Sequence, residues 1–271
     1  MIHVWDLPPR QLQETRVPSG TARQGVERWF RRLDPPQGTQ ICASRPVHGT
    51  KLISTTPATG DQDHLRTVIW SDPTIPDRTE ALLGSGPDPT PWLLNGGRVL
   101  REAGATVIAI PCNTAHAFVP RIAGHVGLPI VHMIGEVAGH LSALTPRVHT
   151  AGLLATTGTV RAGLYQEWLD RAGIRLVLPE AASQHGEVMA AIRAVKAGAR
   201  DDTTTDLLAR AARRLTEQGA QTVIAGCTEI PLGLPADAVD VPLVDPALVL
   251  ARALVRRAGA GWDGYCTHHV T

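Results

Sequence analysis

The sequence predicts an α/β fold in which parallel sheets are covered by helices on both faces. Three observations lead to this prediction. The chain has 271 residues, of which 43% are hydrophobic and 19% charged, which is typical of a folded protein with one large or two smaller domains. Short runs rich in Val and Ile alternate with longer amphipathic stretches from Thr67 onward. A segment that ends at Cys112 is repeated in a segment that ends at Cys227.

The individual elements follow from this alternation, since apolar runs predict strands and amphipathic stretches predict helices. The predicted strands are Thr67–Trp70, Thr106–Ile110, Ile130–Met133, Thr150–Ala155, Arg175–Leu178, Thr222–Ala225 and Pro242–Val244. The predicted helices are Trp92–Glu102, Thr159–Ala172, Glu187–Ala197, Thr204–Gln218 and Pro246–Arg257.

The first fifty residues do not follow this rhythm. They contain a short candidate strand, Ile2–Trp5, and an amphipathic candidate helix, Thr21–Leu33, among residues rich in Pro, Gly, Gln and Arg. The residues after Ala258 are predicted to form a loosely ordered tail.

The internal repeat places one cysteine at the carboxyl end of a strand in each copy. A helix ends at Gly104 or Gly219, a buried strand follows, and the strand leads to Cys112 or Cys227. Open α/β sheets bind their ligands at the carboxyl ends of the strands. Two related halves that face each other would therefore place one thiol on each side of a shared cleft. The alternative is that two βαβ units share a composition and that both cysteines are ordinary buried residues.

Composition excludes several classes of function. The 26 Lys and Arg against 25 Asp and Glu leave a net charge of +1, which argues against a nucleic-acid partner. No apolar run approaches the ~18–20 residues that span a bilayer, so we expect a cytoplasmic protein without a membrane partner. The 4 cysteines include no C-x-x-C pair, which predicts free thiols and no metal. A cluster of Cys266, His268 and His269 in the tail, and a Cys112–Cys227 disulfide in oxidised protein, are the alternatives.

Two opposed thiols suit the inversion of a carbon acid without a cofactor, because a thiolate can remove a proton from one face while a thiol returns one to the other. Helix amino termini after each cysteine would lower the thiol pKa from its ordinary value of about 8.5. His116 and Glu229 could tune or relay these protons, with capping or surface roles as the alternative. The spacing of Cys112 and His116 also permits metal binding, although no further ligands lie nearby.

Three motifs then carry a resemblance to a known family. They are Pro111-Cys-Asn-Thr-Ala-His116, Gly226-Cys-Thr-Glu-Ile-Pro231 and Asp72-Pro-Thr-Ile-Pro-Asp-Arg-Thr79. Taken together, in their order along the chain, they resemble the aspartate/glutamate racemase family of cofactor-independent amino-acid racemases, over roughly residues 51–257. The resemblance implies two similar α/β domains related by pseudo-twofold symmetry, with the active site in the cleft between them. The domains would comprise residues 1–146 with 246–271, and residues 147–245. It also implies a homodimer that needs no cofactor.

The resemblance further implies roles for single residues. Cys112 and Cys227 would be the two acid/base residues. From the resemblance and from local chemistry together, the candidate substrate-binding residues are Asp77, Arg78, Thr79, Asn113, Thr114, Ala115, Thr159, Lys196 and Thr228, with His116 and Glu229 in supporting roles. Arg78 would grip a side-chain carboxylate and Lys196 would be a second cationic contact, which suits an acidic substrate. The alternatives are an ordinary turn arginine, a solvated lysine and, for Thr159, a helix cap.

One feature departs from the family pattern. Family members usually begin with a strand that runs into a Gly-Gly-Met-Gly-Pro loop, and this chain has no such motif. The sequence predicts a racemase of aspartate or glutamate. The alternatives are a broad-specificity amino-acid racemase, a relative of maleate isomerase or arylmalonate decarboxylase, and an inactive carboxylate-binding protein. Two cysteines favour racemisation or isomerisation, because decarboxylation needs only one protonating thiol.

Overall fold

A computed structural model of the protein describes residues 2–5 and 51–260. These residues form two four-stranded sheets with helices packed against them. The predicted helix Thr21–Leu33 and the cluster of Cys266, His268 and His269 lie outside the described residues. Of the described helices, none combines the length and the hydropathy that a membrane span requires.

The first sheet has the strand order β2-β1-β3-β4. Its strands are β1 (Ile2–Trp5), β2 (Arg66–Ile69), β3 (Ile108–Ala109) and β4 (Ile130–Val131). β3 and β4 are parallel, as predicted, whereas β1 lies antiparallel to both β2 and β3. The candidate strand in the first fifty residues is thus confirmed in position. The first sheet is therefore mixed and not purely parallel as predicted. The direction of β1 could not be predicted, because the apolar pattern of four residues does not specify which way a strand runs.

The second sheet is parallel throughout and has the order β6-β5-β7-β8. Its strands are β5 (Thr150–Ala155), β6 (Arg175–Val177), β7 (Thr222–Gly226) and β8 (Leu243–Val244). Every residue of β5 and β7 is buried, as expected for central strands that helices cover on both faces. The two sheets share one strand order, with β3 and β7 in equivalent places.

Helices connect and cover the strands. They are α1 (Arg78–Leu83), α2 (Thr90–Glu102), α3 (Val119–Val126), α4 (Met133–Ser142), α5 (Thr157–Arg161), α6 (Leu164–Arg171), α7 (Ala181–Ser183), α8 (Met189–Lys196), α9 (Asp202–Glu217), α10 (Ile230–Gly233) and α11 (Pro246–Ala260). A π-helical turn, Gln184–Val188, joins α7 to α8, and 3₁₀ turns occur at Asp61–Asp63, Thr114–Phe118 and Ala236–Ala238. Residues 51–55 are also helical.

Two predicted helices differ from the structure. The stretch Thr159–Ala172 divides into α5 and α6, because Gly163 at the start of α6 has a φ of 63° and turns the chain between them. The stretch Glu187–Ala197 begins six residues earlier than predicted, at Ala181, and includes the π-helical turn. Helix α11 continues to Ala260, into the segment predicted to be a loose tail.

The two copies of the repeat end their helices in the same way. Gly104 and Gly219 have φ values of 82° and 93°, so the predicted left-handed stops are confirmed. In the first copy the amide of Ala105 donates to the carbonyl of Leu100 at 2.9 Å. The equivalent bond in the second copy, from Ala220 to Leu215, is 3.0 Å long. These matched turns direct the chain into β3 and β7, and hence towards the two cysteines.

The core lies on both faces of the second sheet. Leu154 and Val223 pack with residues of α8 and α9, whereas Leu153 and Ile224 face a cluster that includes residues of α4, α6 and α11. Helix α11 also contributes Leu250 and Leu254 to the core beside β3 and β4. The predicted domain boundaries at residues 146 and 246 stay a prediction.

Candidate active site

Residues from both sheets line one cleft of about 380 Å³, a volume that includes the part open to solvent. Cys112 reaches it from the loop after β3, and Cys227 directly follows β7. The lining residues are Asp77, Arg78, Thr79, Cys112, Asn113, Thr114, Thr156, Lys196, Gly226, Cys227, Thr228 and Glu229. The cleft thus gathers both thiols and both cations that the sequence analysis singled out.

Cys227 is a buried free thiol that is hydrogen-bonded to a carboxylate. Its Sγ donates to Glu229 Oε2 at 2.8 Å, and the hydroxyl of Thr228 donates to the same oxygen at 3.1 Å. Burial raises the pKa of Cys227 well above its ordinary value, and the charge and hydrogen bond of Glu229 raise it further. The backbone amide of Glu229, at the start of the following helix, lowers the pKa as expected, but burial and the Glu229 carboxylate outweigh it. We expect Cys227 to stay protonated at neutral pH.

Gly226, the last residue of β7, lies close to the side chains of the neighbouring strand β5. A Cβ atom at this position would lie 2.6 Å from Leu153 Cδ1 and 3.0 Å from the Cβ of Ala155. A side chain at this position would therefore force Leu153 to move and would crowd Ala155. This close packing favours glycine immediately before the thiol.

Cys112 is a free, half-buried thiol next to a guanidinium group. The charge of Cys112 is the largest cause that raises the pKa of Arg78, although burial of the guanidinium opposes it. Arg78 Nη1 also donates to the carbonyls of Pro76 at 2.9 Å and Ile75 at 3.3 Å, which hold the guanidinium group against the turn. A fixed positive charge therefore lies beside the Cys112 thiol.

The turn before α1 holds Arg78 at the first position of this helix. Asp77 caps the helix, because its Oδ1 accepts from the amides of Thr79 at 2.7 Å and Glu80 at 3.1 Å. A cation at a helix amino terminus opposes the helix dipole, so stability alone would not favour Arg78 there. This cost suggests that the position serves the cleft.

Lys196 ends α8 and lies 3.6 Å from Asp77 Oδ2, with about two fifths of each side chain exposed. Burial alone would lower the pKa of Lys196, but the charges of Cys227, Glu229 and Asp77 raise it overall. For Asp77, burial raises the pKa, whereas Lys196 and the two capping amides lower it overall. Lys196 therefore stays charged in the cleft lining, and its pairing with Asp77 distinguishes it from an ordinary solvated lysine.

Three threonine hydroxyls meet beside the cleft, where Thr114 and Thr156 belong to its lining. Thr114 Oγ1 lies 2.9 Å from Thr159 Oγ1 and 3.1 Å from Thr156 Oγ1, and the latter two hydroxyls are also 3.1 Å apart. Thr156 caps α5 by accepting from the amide of Thr159 at 3.2 Å. The cap is thus Thr156, whereas Thr159, which is only 1% exposed, does not line the cleft. The cluster joins the loop after β3 to the start of α5.

Two further predicted residues lie outside the cleft lining. Ala115 packs into the core beside β3. His116 is buried, and its Nε2 lies 3.1 Å from the carbonyl oxygen of Ile110, which also accepts from the amide of Cys112 at 2.8 Å. This ring nitrogen must donate to the carbonyl, so it is not directed at a metal shared with Cys112. Within the described residues, no group of three or more His, Cys, Asp or Glu side chains could hold a metal ion.

The rings of the buried His116 and the half-buried His132 lie with their centroids 4.5 Å apart. Burial lowers the pKa of His116 to about 3, helped by repulsion from His132, and burial lowers the pKa of His132 to about 4. Both imidazoles are therefore neutral near pH 7. This state makes a relay of protons from Cys112 through His116 unfavourable.

Sequence reasoning missed Tyr165, whose phenol donates to Asn113 Oδ1 at 2.6 Å. Tyr165 lies on α6, 52 residues from its partner, and is only 1% exposed. A buried tyrosine in an amphipathic helix gives no sequence signal beyond its place on the apolar face. Only the contact with a cleft residue reveals it.

Together the fold and the cleft define an α/β protein with two related sheets and a site in which two thiols, two cations and two carboxyl groups converge. A sequence profile described as Asp/Glu/Hydantoin racemase matches residues 48–254. The chain belongs to this family.

Individual relatives agree with this assignment. The chain is 33% identical over 174 residues to a glutamate racemase of Pseudomonas entomophila. The matched residues make up 59% of this chain and 60% of that protein. It is 25% identical over 163 residues to the broad specificity amino-acid racemase RacX of Bacillus subtilis, or 60% of this chain and 69% of that protein. The matches thus span 60% and 69% of the length of these curated relatives.

Among solved structures, the fold is similar to that of an aspartate racemase from Picrophilus torridus. The TM-score is 0.70 at 29% sequence identity, over 80% of this chain and 89% of that chain. The predicted family and fold class are thereby confirmed.

Proposed function

We propose that this chain is a homodimeric, cofactor-independent racemase of aspartate or glutamate that uses Cys112 and Cys227 as its two acid/base residues. The observation that carries the proposal is the convergence of both thiols with Arg78 and Lys196 in one cleft. A thiol pair alone would suit any carbon acid. The two cations add a reason for an acidic substrate, because fixed positive charge favours a second carboxylate.

The two thiols have different surroundings. Cys112 lies beside the Arg78 guanidinium group, and burial beside Glu229 favours the protonated form of Cys227. In one direction, the Cys112 thiolate takes the α-proton, the electron pair of the broken C–H bond is delocalised onto the carboxylate, and the Cys227 thiol returns a proton to the opposite face. The chain ends with Cys112 protonated and Cys227 ionised. The reverse direction starts from that state, so charge balances over each turnover.

The polar residues around the thiols suit the remaining parts of an amino acid. Asn113, Thr114 and Thr228 lie beside the cysteines in the cleft lining and offer donors for the α-carboxylate. Arg78 would hold the side-chain carboxylate, with Lys196 as a second contact. Asp77 also lines the cleft and would interact with substrate there.

A broad-specificity amino-acid racemase is the second candidate. Its support is the ion pair of Lys196 with Asp77, which partly neutralises one of the two cations. A cleft with less net positive charge selects acidic substrates less strongly. Comparison of kcat/KM for aspartate and glutamate with kcat/KM for neutral amino acids of similar size distinguishes the two candidates.

The decisive experiment follows the α-proton. Purified full-length protein is incubated under reducing conditions in deuterated buffer with L-aspartate, L-glutamate or a panel of neutral amino acids. Proton NMR measures loss of the α-proton signal, and chiral chromatography measures the D-enantiomer. We expect α-proton loss and D-enantiomer formation for an acidic amino acid.

The other outcomes are equally informative. Turnover of neutral amino acids at comparable rates would replace the first proposal by the second. Binding of an acidic amino acid without exchange, from a folded sample, would overturn both and would identify a non-catalytic carboxylate-binding protein. Light scattering of the same sample tests the dimer.

A further inference from the structure

The side-chain amide of Asn113 is buried, and only one end of it has a partner. Asn113 is 3% exposed and lines the cleft next to Cys112. Its Oδ1 accepts the 2.6 Å hydrogen bond from Tyr165, whereas its Nδ2 has no hydrogen-bond partner among the described residues. Buried amide groups in native proteins are nearly always hydrogen-bonded, so this NH₂ group lacks an acceptor that something else must supply.

Tyr165 determines which end of the amide stays free. In the opposite orientation of Asn113, the NH₂ group would donate to the phenol oxygen, and the phenol proton would have no acceptor among the described residues. Leaving a buried donor without an acceptor is unfavourable. The observed orientation satisfies the phenol and directs the unsatisfied donor elsewhere.

The surroundings keep the phenol a donor at all relevant pH values. Tyr165 is packed in the apolar core beside β5, and burial raises its pKa well above the ordinary value, helped by the nearby charges of Asp245 and Cys227. A protonated phenol in a rigid core is a fixed hydrogen-bond donor. The orientation of Asn113 is therefore set by a side chain that does not itself reach the cleft.

We propose that Tyr165 is a positioning residue, which holds the Asn113 amide so that its NH₂ group donates to a carboxylate of the substrate. This inference rests on the proposed function for the identity of the ligand. It adds that Tyr165, in the core of the second sheet, determines how Asn113, in the loop after β3 of the first sheet, binds the carboxylate.

A double-mutant cycle tests the proposal. Tyr165→Phe removes one hydroxyl and keeps the ring, and Asn113→Ala removes the amide. We expect Tyr165→Phe to raise KM for the acidic substrate by about tenfold with a much smaller change in kcat, since the carboxylate is held in both ground and transition states. In the Asn113→Ala background, Tyr165→Phe should have almost no further effect on KM, because the amide that it orients is absent.

Thr222→Val is the matched control for loss of a buried hydroxyl. Thr222 is 1% exposed and donates to the carbonyl of Pro242 at 2.7 Å, at the start of β7 and away from the cleft. It should lower thermal stability in the way that Tyr165→Phe does, but leave KM unchanged. A KM effect of Tyr165→Phe that persists in full without Asn113, or no KM effect at all, would overturn the proposal.

Binding of succinate by calorimetry separates this inference from the proposed function. Succinate is a dicarboxylate with no stereocentre to invert, so its affinity does not require turnover. If the protein racemises no amino acid, the proposed function fails, and the same four variants are compared by succinate affinity. Affinity that falls about tenfold with Tyr165→Phe only when Asn113 is present supports positioning, and additive or absent effects reject it.

Discussion

The two cleft thiols are alike in sequence context but differ in their surroundings, and this difference exists only at the residue scale. Cys112 is half-buried next to Arg78, whereas Cys227 is buried and donates to Glu229. The repeat in the sequence predicts the shared location of the thiols. It cannot predict their different surroundings, because Arg78 comes from a separate motif, and burial depends on the packing of distant helices.

Removal of either thiol should abolish racemisation. We expect Cys112→Ala and Cys227→Ala each to lower the racemisation rate by about a thousandfold or more, because general acid–base groups contribute factors of this size. Each variant retains one thiol and should therefore still exchange the α-proton of one enantiomer with solvent, a different enantiomer for each variant. Deuterium exchange of the separate L- and D-substrates measures this, with circular dichroism to verify the fold. A variant that keeps near-normal racemisation would remove that cysteine from the mechanism.

Glu229 provides a pH-dependent test of the Cys227 environment. The Glu229 charge and its hydrogen bond raise the pKa of Cys227, in addition to burial, so Glu229→Gln should lower that pKa. Ionisation of both thiols stops turnover at high pH. The alkaline limb of the kcat/KM profile should therefore move to lower pH in Glu229→Gln, as an apparent pKa of the thiol pair. Glu229→Asp keeps the charge and should shift the limb less. An alkaline limb that stays in place would show that Glu229 does not tune the pair.

At the scale of elements, the short helix α1 positions the Arg78 motif and is held by close backbone packing. A Cβ atom at Gly158 would lie 2.9 Å from the Cα of Thr79, the residue after Arg78. The sequence shows the Arg78 motif but does not predict the helix, since six residues are too few to show a helical period. It also could not predict the approach of α5, because that contact joins segments about eighty residues apart.

Gly158→Ala should therefore displace α1 from the cleft. We expect KM for the acidic substrate to rise about tenfold, because roughly one charge-assisted contact is lost. We also expect the variant to be less stable. Gly139→Ala is the matched control, because Gly139 is an exposed position in α4 where a Cβ atom would meet nothing within 4 Å. That control should raise stability by about 0.5–1 kcal/mol and leave KM unchanged. Kinetics and urea unfolding on both variants measure the two effects, and equal KM values would contradict the role given to this contact.

At the scale of the whole molecule, the alternation of apolar runs and amphipathic stretches was sufficient to predict the strands from Thr67 onward to within a few residues. Strand β5 matches its predicted range, whereas β3 is shorter, because regular pairing ends before the loop that carries Cys112. The direction of β1 and the division at Gly163 were not predictable. Both depend on contacts between distant segments and not on local periodicity.

The ring pair of His116 and His132 gives the folded chain a predictable sensitivity to acid. Their native pKa values of about 3 and about 4 lie below the ordinary value of 6.5. Below that value the unfolded chain takes up protons that the native chain does not. The stability that the folded chain gains from keeping these two rings neutral is therefore fully present above about pH 6.5. It is lost progressively as the pH falls towards 4. The linkage relation gives about 2 kcal/mol for each ring at pH 5.

His132→Asn should reduce this acid sensitivity by about half. His132 Nδ1 caps α4 by accepting from the amide of Gly135 at 3.3 Å, and asparagine can supply the same kind of cap without a titrating ring. Loss of the ring contacts with His116 and Trp168 should lower stability at pH 7. The prediction therefore concerns the slope with pH and not the absolute stability. Urea unfolding of both proteins at pH 7, 6 and 5 measures that slope. If the variant loses as much stability as the wild type over this range, His132 does not take up a proton on unfolding, and the prediction is wrong.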